Sequence, residues 1–170
     1  AASDVYKRQV RQAIDALNAV SASLERLKAE MQALAAQLPE YPVVMAMHGV
    51  GDSLGPQLMA ELGDVARFTH RNAITAFAGV DPGADQSGTH EAKSTRVSKS
   101  GPPELRRALF LVMDCLLKTQ PQDDPVYRFM DKKRAEGKPY LVYMTAGANK
   151  FLRIYYGRIR EYLVSLDNAD

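Results

Sequence analysis

The chain has 170 residues, of which 46% are apolar and 25% are charged. This length suits one domain, or one domain with a helical extension, and the composition is that of a globular protein rather than a disordered one. The apolar runs are too short to span a membrane, and the single cysteine excludes an intrachain disulfide or a cysteine-rich metal site. The sequence therefore predicts a protein of a reducing, cytoplasmic setting with no membrane partner.

The charge is distributed unevenly along the chain. Residues 91–160 hold fifteen basic and seven acidic side chains, an excess of +8, although the whole chain carries only +2. Residues 41–90 carry −3. A local excess of this size attracts phosphate backbones, because binding releases their counterions. The alternative is a solvated basic surface without a partner.

The first segment has a heptad pattern of apolar residues. The two series, seven residues apart, are Val10, Leu17, Leu24, Met31 and Leu38, and Ala13, Val20, Leu27 and Leu34. This pattern predicts a coiled-coil helix over residues 1–39. A helix of about 35 residues is roughly 50 Å long, too long to bury its apolar stripe on a small domain. A partner helix is expected from another copy or from a missing part of the chain, and the alternative is an intramolecular helical hairpin.

A glycine-containing turn follows this helix. An apolar run ends in Met47-His48-Gly49-Val50-Gly51, after which Ser53 can cap a helix over Leu54–Leu62. The pattern matches the turn of a helix-hairpin-helix motif, in which glycines let the backbone approach a phosphate near a helix N-terminus. Gly49 and Gly51 are therefore candidate nucleic-acid contacts. The alternative is an ordinary tight turn.

Further helices are predicted over residues 65–78, from Pro102 onward, near 126–135 and over 139–166. Gly79 ends the first of these helices, and Pro102, Pro103 and Glu104 suit the start of the second. We see no extended alternating strand pattern. The sequence thus predicts an all-α fold, with a coiled-coil helix followed by a compact helical domain over 40–166.

A polar loop over residues 80–101 separates two of these helices. Loops of this length are usually functional or disordered. Ser87 lies beside Gly88, and Lys93, Arg96 and Lys99 follow at every third position. A serine becomes a nucleophile only with a general base, or where cations stabilise the developing charge. His90 is a candidate base by residue type alone, and an ordinary Ser-Gly turn is the alternative.

Several segments resemble one family of bacterial transposases. GVGDSLGPQLMAELGDVARF, ITAFAGVDPG, QSG and RVSKSGPPELRRALF occur in that order. Together they resemble the C-terminal transposase domain of the insertion-sequence 110/116/902 family, which is related to Piv-type DNA invertases. The segment GKPYLVYMTAGANKFLRIYYG is similar to the basic end segment of the family, and the heptads are similar to its coiled coil. The resemblance covers residues 45–157.

The resemblance implies an RNA-guided recombinase of the DEDD type. Such proteins have an N-terminal RuvC-like domain whose four acidic residues hold a divalent metal such as Mg²⁺. Their C-terminal domain supplies a serine that attacks a DNA phosphate and forms a transient 5′-phosphoserine link. Ser87 matches that serine. The expected partners are DNA, a guide RNA and further copies of the chain, as a dimer or tetramer assembled through the coiled coil, in the bacterial cytoplasm and nucleoid.

The residues predicted to bind nucleic acid are seven glycines and cations: Gly49, Gly51, Lys93, Arg96, Lys99, Arg106 and Arg107. No acidic set resembles the RuvC-like domain, so the chain is expected to be a fragment that holds no metal or cofactor and is inactive alone. Two other hypotheses stay open. One is a non-catalytic helix-hairpin-helix module that binds DNA, and the other is a helical scaffold that dimerises without touching nucleic acid.

Overall fold

The computed structural model describes residues 2–81, 86–87, 90–91 and 98–168. The described part contains seven α-helices, which confirms the predicted all-α class. The helices are α1 (Ala2–Ala35), α2 (Tyr41–Met45), α3 (Leu54–Leu62), α4 (Arg71–Ala78), α5 (Pro103–Thr119), α6 (Pro125–Ala135) and α7 (Tyr140–Asp167). A short 3₁₀ turn, Val65–Arg67, lies between α3 and α4.

Two very short strands lie inside the predicted loop. β1 (Gln86–Ser87) pairs antiparallel with β2 (His90–Glu91), and the register places Ser87 opposite His90. The backbone alone is described at these four positions. This small ladder does not change the helical class of the fold.

The hydrophobic core is built around α5 and α7. One face of α5 is apolar and buried in the core. Its residues are Leu105, Ala108, Leu109, Val112, Met113 and Leu116. α3 packs on α5, while α4, α5 and α6 all pack on α7. The core side chains of α7 include Phe151, Leu152 and Tyr155, each at most 1% exposed. Burial raises the pKa of the Tyr155 phenol, with a smaller contribution from the charge of Glu40.

α1 is exposed along most of its length. The apolar side chains of the heptad series remain open to solvent, with Leu17 65% and Leu34 66% exposed. Within the described part of the chain, α1 approaches the other helices at its C-terminal end, where Ala35 is buried and α1 contacts α3. Among the described residues, no second helix lies along the stripe as a hairpin would require. The partner helix, from another copy or from a missing part of the chain, stays a prediction.

A side-chain cap is found at the start of α6 but not at the starts of α2, α3, α4, α5 or α7. The Asp124 carboxylate caps α6 by accepting hydrogen bonds from the backbone N–H groups of Val126 and Tyr127, both at 2.8 Å. The Ser53 side chain makes no such bond at the start of α3, so the predicted serine cap is wrong. The predicted helix over 65–78 is also wrong as a single element, because Phe68 and His70 adopt extended backbone between the 3₁₀ turn and α4.

Candidate nucleic-acid interface

The two ends of the predicted loop meet and are held together by backbone hydrogen bonds. The N–H of Ser98 donates to the carbonyl of Asp81 at 3.3 Å, and the N–H of Lys99 donates to the carbonyl of Gly79 at 3.2 Å. The Ser98 hydroxyl also donates to the Asp81 carboxylate at 3.3 Å. We call residues 79–81 and 98–101 the neck. The neck joins the residues on either side of the segment 82–97, at the C-terminal end of α4.

Two glycines allow the two sides of the neck to come this close. Gly79 ends α4 in the left-handed conformation, with a φ of 64°, and a side chain there would lie 2.7 Å from the backbone nitrogen of Ser100. A side chain on Gly101 would collide with the carbonyl oxygen of Phe77. The backbone on one side of the neck therefore packs directly against the backbone on the other side. This contact depends on the absence of a Cβ atom at both glycines.

Three of the predicted cations lie in or beside the neck. Lys99 is exposed and adopts a φ of 52°, which is unusual for a residue other than glycine. The guanidinium of Arg106 donates a hydrogen bond back to the carbonyl of Gly101, so this side chain supports the neck. Arg107 is exposed near the start of α5. The structure thus brings these three cations to one end of α5.

The other loop predictions fall largely outside what is described. Lys93 and Arg96 lie outside the described residues. Ser87 is described only as backbone in β1, opposite His90. The predicted roles of Ser87, Lys93 and Arg96 stay predictions.

The glycines of the predicted helix-hairpin-helix turn have different surroundings. Gly49 has a φ of 78° and packs on α5, where an added Cβ would lie 2.9 Å from the carbonyl oxygen of Val112. Gly51 is exposed, and a Cβ placed there would meet no atom within 4 Å. Along α5, Val112 is about 9 Å from Arg106, given a rise of about 1.5 Å per residue. The turn therefore lies apart from the neck, and of its two glycines Gly51 is the one open to a ligand.

A cleft of about 970 Å³ opens beside the neck, between α4, α6 and α7. Val80 and Asp81 belong to both the neck and the wall of this cleft. Three cations line it: Arg71 from the start of α4, and Lys150 and Arg153 from the middle of α7. Asp81 is the acidic residue among its described lining, so the cleft is electropositive.

Reasoning from the sequence missed these three cations as a group. Arg71 is distant in the chain from the other two, and only the packing of α4 on α7 brings them together. Lys150 and Arg153 are three residues apart, which places them on one face of a helix. That spacing was the available signal, within a segment already identified as basic.

Neither a metal centre nor a membrane helix is found in the described part of the chain. No three of its His, Cys, Asp or Glu side chains are grouped closely enough to hold a metal ion. The helices that the structure describes lack the length and apolarity needed to cross a bilayer.

Comparison with known proteins agrees with the resemblance found in the sequence. A sequence profile described as the Transposase IS116/IS110/IS902 family matches residues 41–128, slightly more than half of the chain. The matched range runs from α2 into α6 and includes the neck and the segment between its two sides.

Three curated proteins are similar to this chain. A 43.6 kDa protein of the insertion element IS110 from Streptomyces coelicolor is 27% identical over 145 residues, which cover 85% of this chain and 35% of that protein. The pilin gene-inverting proteins of Moraxella bovis and Moraxella lacunata are each 29% identical over 113 residues, covering 66% of this chain and 34% of those proteins. The chain spans about a third of the length of these relatives.

Proposed function

We propose a role in DNA transposition or recombination for this chain, which belongs to the IS116/IS110/IS902 family of transposases. The names of its relatives refer to an insertion element and to gene inversion. Moving or inverting a DNA segment requires the DNA to be cut and rejoined. The observation that carries the proposal is the neck, which anchors the segment containing Ser87 at the rim of an electropositive cleft. Cations near an attacking hydroxyl would stabilise the charge that develops on a phosphodiester.

In this proposal Ser87 is the nucleophile. Its Oγ attacks the phosphorus of a DNA phosphodiester, so that the Oγ–P bond forms and the P–O3′ bond breaks. The strand is then held as a 5′-phosphoserine. The proton lost by the serine is balanced by the proton that the leaving 3′-oxygen gains, and attack of a 3′-hydroxyl on the phosphoserine reverses the exchange.

Cations of this chain would hold the phosphate during the attack. Lys99 and Arg107 are exposed beside the neck, and the cleft adds Arg71 and Arg153. Guanidinium and ammonium groups offset the charge that accumulates on the phosphoryl oxygens. Lys93 and Arg96, in the same segment as Ser87, would contribute in the same way.

The remaining parts of the activity are proposed for a longer protein. There this chain would be the C-terminal domain beside an RuvC-like domain, whose acidic residues would hold Mg²⁺ in an active site shared between subunits. A guide RNA would select the DNA. Alone, the chain would bind nucleic acid without cutting it.

Association of copies would occur through α1. Its exposed apolar stripe is suited to a coiled coil, and the heptad period is the one that two-stranded coiled coils use. Bringing copies together would place the serine of one copy near the carboxylates of another.

A second candidate is a non-catalytic DNA-binding module, for which the exposed Gly51 at the start of α3 is the favouring observation. The two functions differ in one result. A protein carrying this chain with an RuvC-like domain, incubated with DNA and guide RNA, should form covalent protein–DNA adducts on denaturing gels. Ser87→Ala should abolish these adducts, and the control Ser94→Ala, which removes a hydroxyl from the same segment, should retain them. Adducts that persist in Ser87→Ala would refute the nucleophile and leave the binding module.

A further inference from the structure

We infer that the cleft between α4, α6 and α7 binds one unpaired nucleotide of a polynucleotide strand, with the phosphate at its cationic rim and the base inside. This inference rests on the proposed function and extends it, because it assigns a ligand to residues that the sequence did not single out. Four features of the cleft carry it: the rim cations, a lysine held on a ring, an apolar wall with amides, and the shared edge with the neck.

The rim offers two exposed guanidinium groups. Arg71 and Arg153 come from different helices, and both side chains are exposed. Neither takes part in an ion pair within the described residues, whereas several other cations, such as Lys118 with Asp114, do. Guanidinium groups bind phosphate oxygens through paired hydrogen bonds, so two of them facing one opening favour a phosphate.

The third rim cation is positioned in advance. The ammonium of Lys150 lies 4.7 Å from the centre of the Phe129 ring, and both residues are partly buried. This cation–π contact keeps the ammonium at the edge of the cleft instead of free in solvent. A cation held in place loses less conformational entropy when a phosphate binds.

Inside the rim the cleft presents an apolar wall with amide groups. Val142, Ala146 and Ile154 line one side, and Asn72 and Asn149 add amide side chains that can both donate and accept hydrogen bonds. A nucleobase has apolar faces and an edge of donors and acceptors, which matches this combination. The volume of about 970 Å³ is within the range of pockets that enclose small ligands.

The position of the cleft gives the site a role. Val80 and Asp81 form part of its wall and also part of the neck. The Asp81 carboxylate accepts a hydrogen bond from the Ser98 hydroxyl, so this acidic side chain interacts with the other side of the neck. A base held in the cleft would therefore fix its strand where the segment containing Ser87 begins and ends.

The test uses the whole chain and short single strands labelled with a fluorophore. The probes are a thymidylate hexamer, the matching uridylate hexamer, and hexamers of the same backbones without bases, measured by fluorescence anisotropy at low salt. Two variants alter the cleft: Arg153→Gln removes a rim cation, and Ala146→Leu fills the interior. Arg158→Gln on α7 and Ala135→Leu at the end of α6 are matched controls, because both positions are exposed and outside the cleft lining.

The wild-type chain should bind the base-containing strands at least about fivefold more tightly than the abasic ones. Ala146→Leu should remove this preference, and Arg153→Gln should weaken binding about fivefold and lower the salt slope by about 0.7. The controls should change affinity less than about twofold. Circular dichroism checks that each variant is folded. If Ala146→Leu is unfolded, the binding of Arg153→Gln, which changes an exposed side chain, is the measurement that counts.

Each outcome bears on the inference. A base preference in the DNA or the RNA series supports it and identifies which strand occupies the cleft. Equal binding of abasic strands, or equal losses in cleft and control variants, overturns the nucleotide site while leaving the DNA role intact. Absence of binding to any of these strands, and to a DNA duplex measured in the same way at low salt, overturns both proposals.

Discussion

α1 and the body of the molecule, residues 41–167, use the same apolar residue types in opposite ways. Leu17 in α1 is 65% exposed, whereas Leu152 in α7 is completely buried. Both lie on helices with apolar residues at regular spacing, so periodicity alone does not distinguish them. The difference teaches that the body is stabilised by its own core, while the described residues of this chain leave the stripe of α1 uncovered. We therefore propose that α1 serves assembly and that the body contacts nucleic acid.

The largest effect should come from a cavity in the core of the body. Leu152→Ala should lower the free energy of unfolding by about 2–5 kcal/mol, because a fully buried side chain is removed. Seven of the eight tyrosines lie in the body, so their near-ultraviolet signal during urea unfolding reports its stability. The loss should be the same at all protein concentrations.

The control for this change is Leu17→Ala in α1. At low protein concentration, Leu17→Ala should leave the free energy of unfolding of the body within about 0.5 kcal/mol of wild type. The loss of stability relative to wild type should grow as the protein concentration rises, because association through α1 then stabilises the wild type more than the variant. An equal, concentration-independent loss in both variants would contradict the division between α1 and the body.

The neck should be the next most sensitive feature of the body. Gly101→Ala should lower the free energy of unfolding by about 1–3 kcal/mol, because its Cβ would collide with the carbonyl of Phe77. Gly157→Ala is the matched control, since it is exposed in α7 with no atom near the added Cβ, and it should stabilise by about 0.5–1 kcal/mol. Thermal unfolding measures both. If Gly101→Ala and Gly157→Ala changed the free energy of unfolding in the same direction, the backbones of the neck would not be in contact.

In α1, a charge on the apolar stripe should weaken association without unfolding the body. Leu24→Lys removes one leucine from each chain of a pair, which should raise the dissociation constant at least about 30-fold. Ala22→Lys, on the outer face of the predicted coiled coil, should have little effect. Sedimentation equilibrium measures the constant. A monomeric wild-type chain at all accessible concentrations would contradict the role of α1.

The smallest effect should come from Lys99. Because this residue adopts a φ of 52°, Lys99→Gly should relieve backbone strain and stabilise the body by about 0.5–1 kcal/mol. The same change should weaken duplex DNA binding, since it removes an exposed cation beside the neck. Lys99→Gln, which removes the cation but keeps a side chain that disfavours this conformation, separates the two effects. A loss of stability on Lys99→Gly would contradict the strained conformation.

Much of the fold could be predicted because its signals are local. The predicted start at Pro102 and the predicted helices near 126–135 and over 139–166 lie within one residue of the start of α5 and of the bounds of α6 and α7. The break before α4 was missed, because Phe68 is buried in extended backbone and so keeps an apolar pattern compatible with a helix. The uncapped Ser53 shows that a favourable residue type does not guarantee a cap.

The candidate site was less predictable because it depends on contacts between distant segments. The sequence indicated a polar loop over 80–101, but the neck is made by backbone groups, which leave little trace in side-chain patterns. Arg71 and Arg153 meet only through the packing of α4 on α7. The structure also shows that Gly49 packs against α5, a requirement that the glycine pattern alone did not reveal.

The assignment of nucleic-acid contact to the body is tested most directly by salt-dependent binding of duplex DNA. Fluorescence anisotropy should compare wild type with two triple variants, Arg71→Gln/Lys150→Gln/Arg153→Gln in the cleft and Lys7→Gln/Arg8→Gln/Arg11→Gln in α1. Each removes three positive charges. The cleft variant should reduce the slope of log K against log salt by up to about 0.9 for each lost phosphate contact, and the α1 variant should leave it unchanged. An equal or larger reduction in the α1 variant would contradict the account.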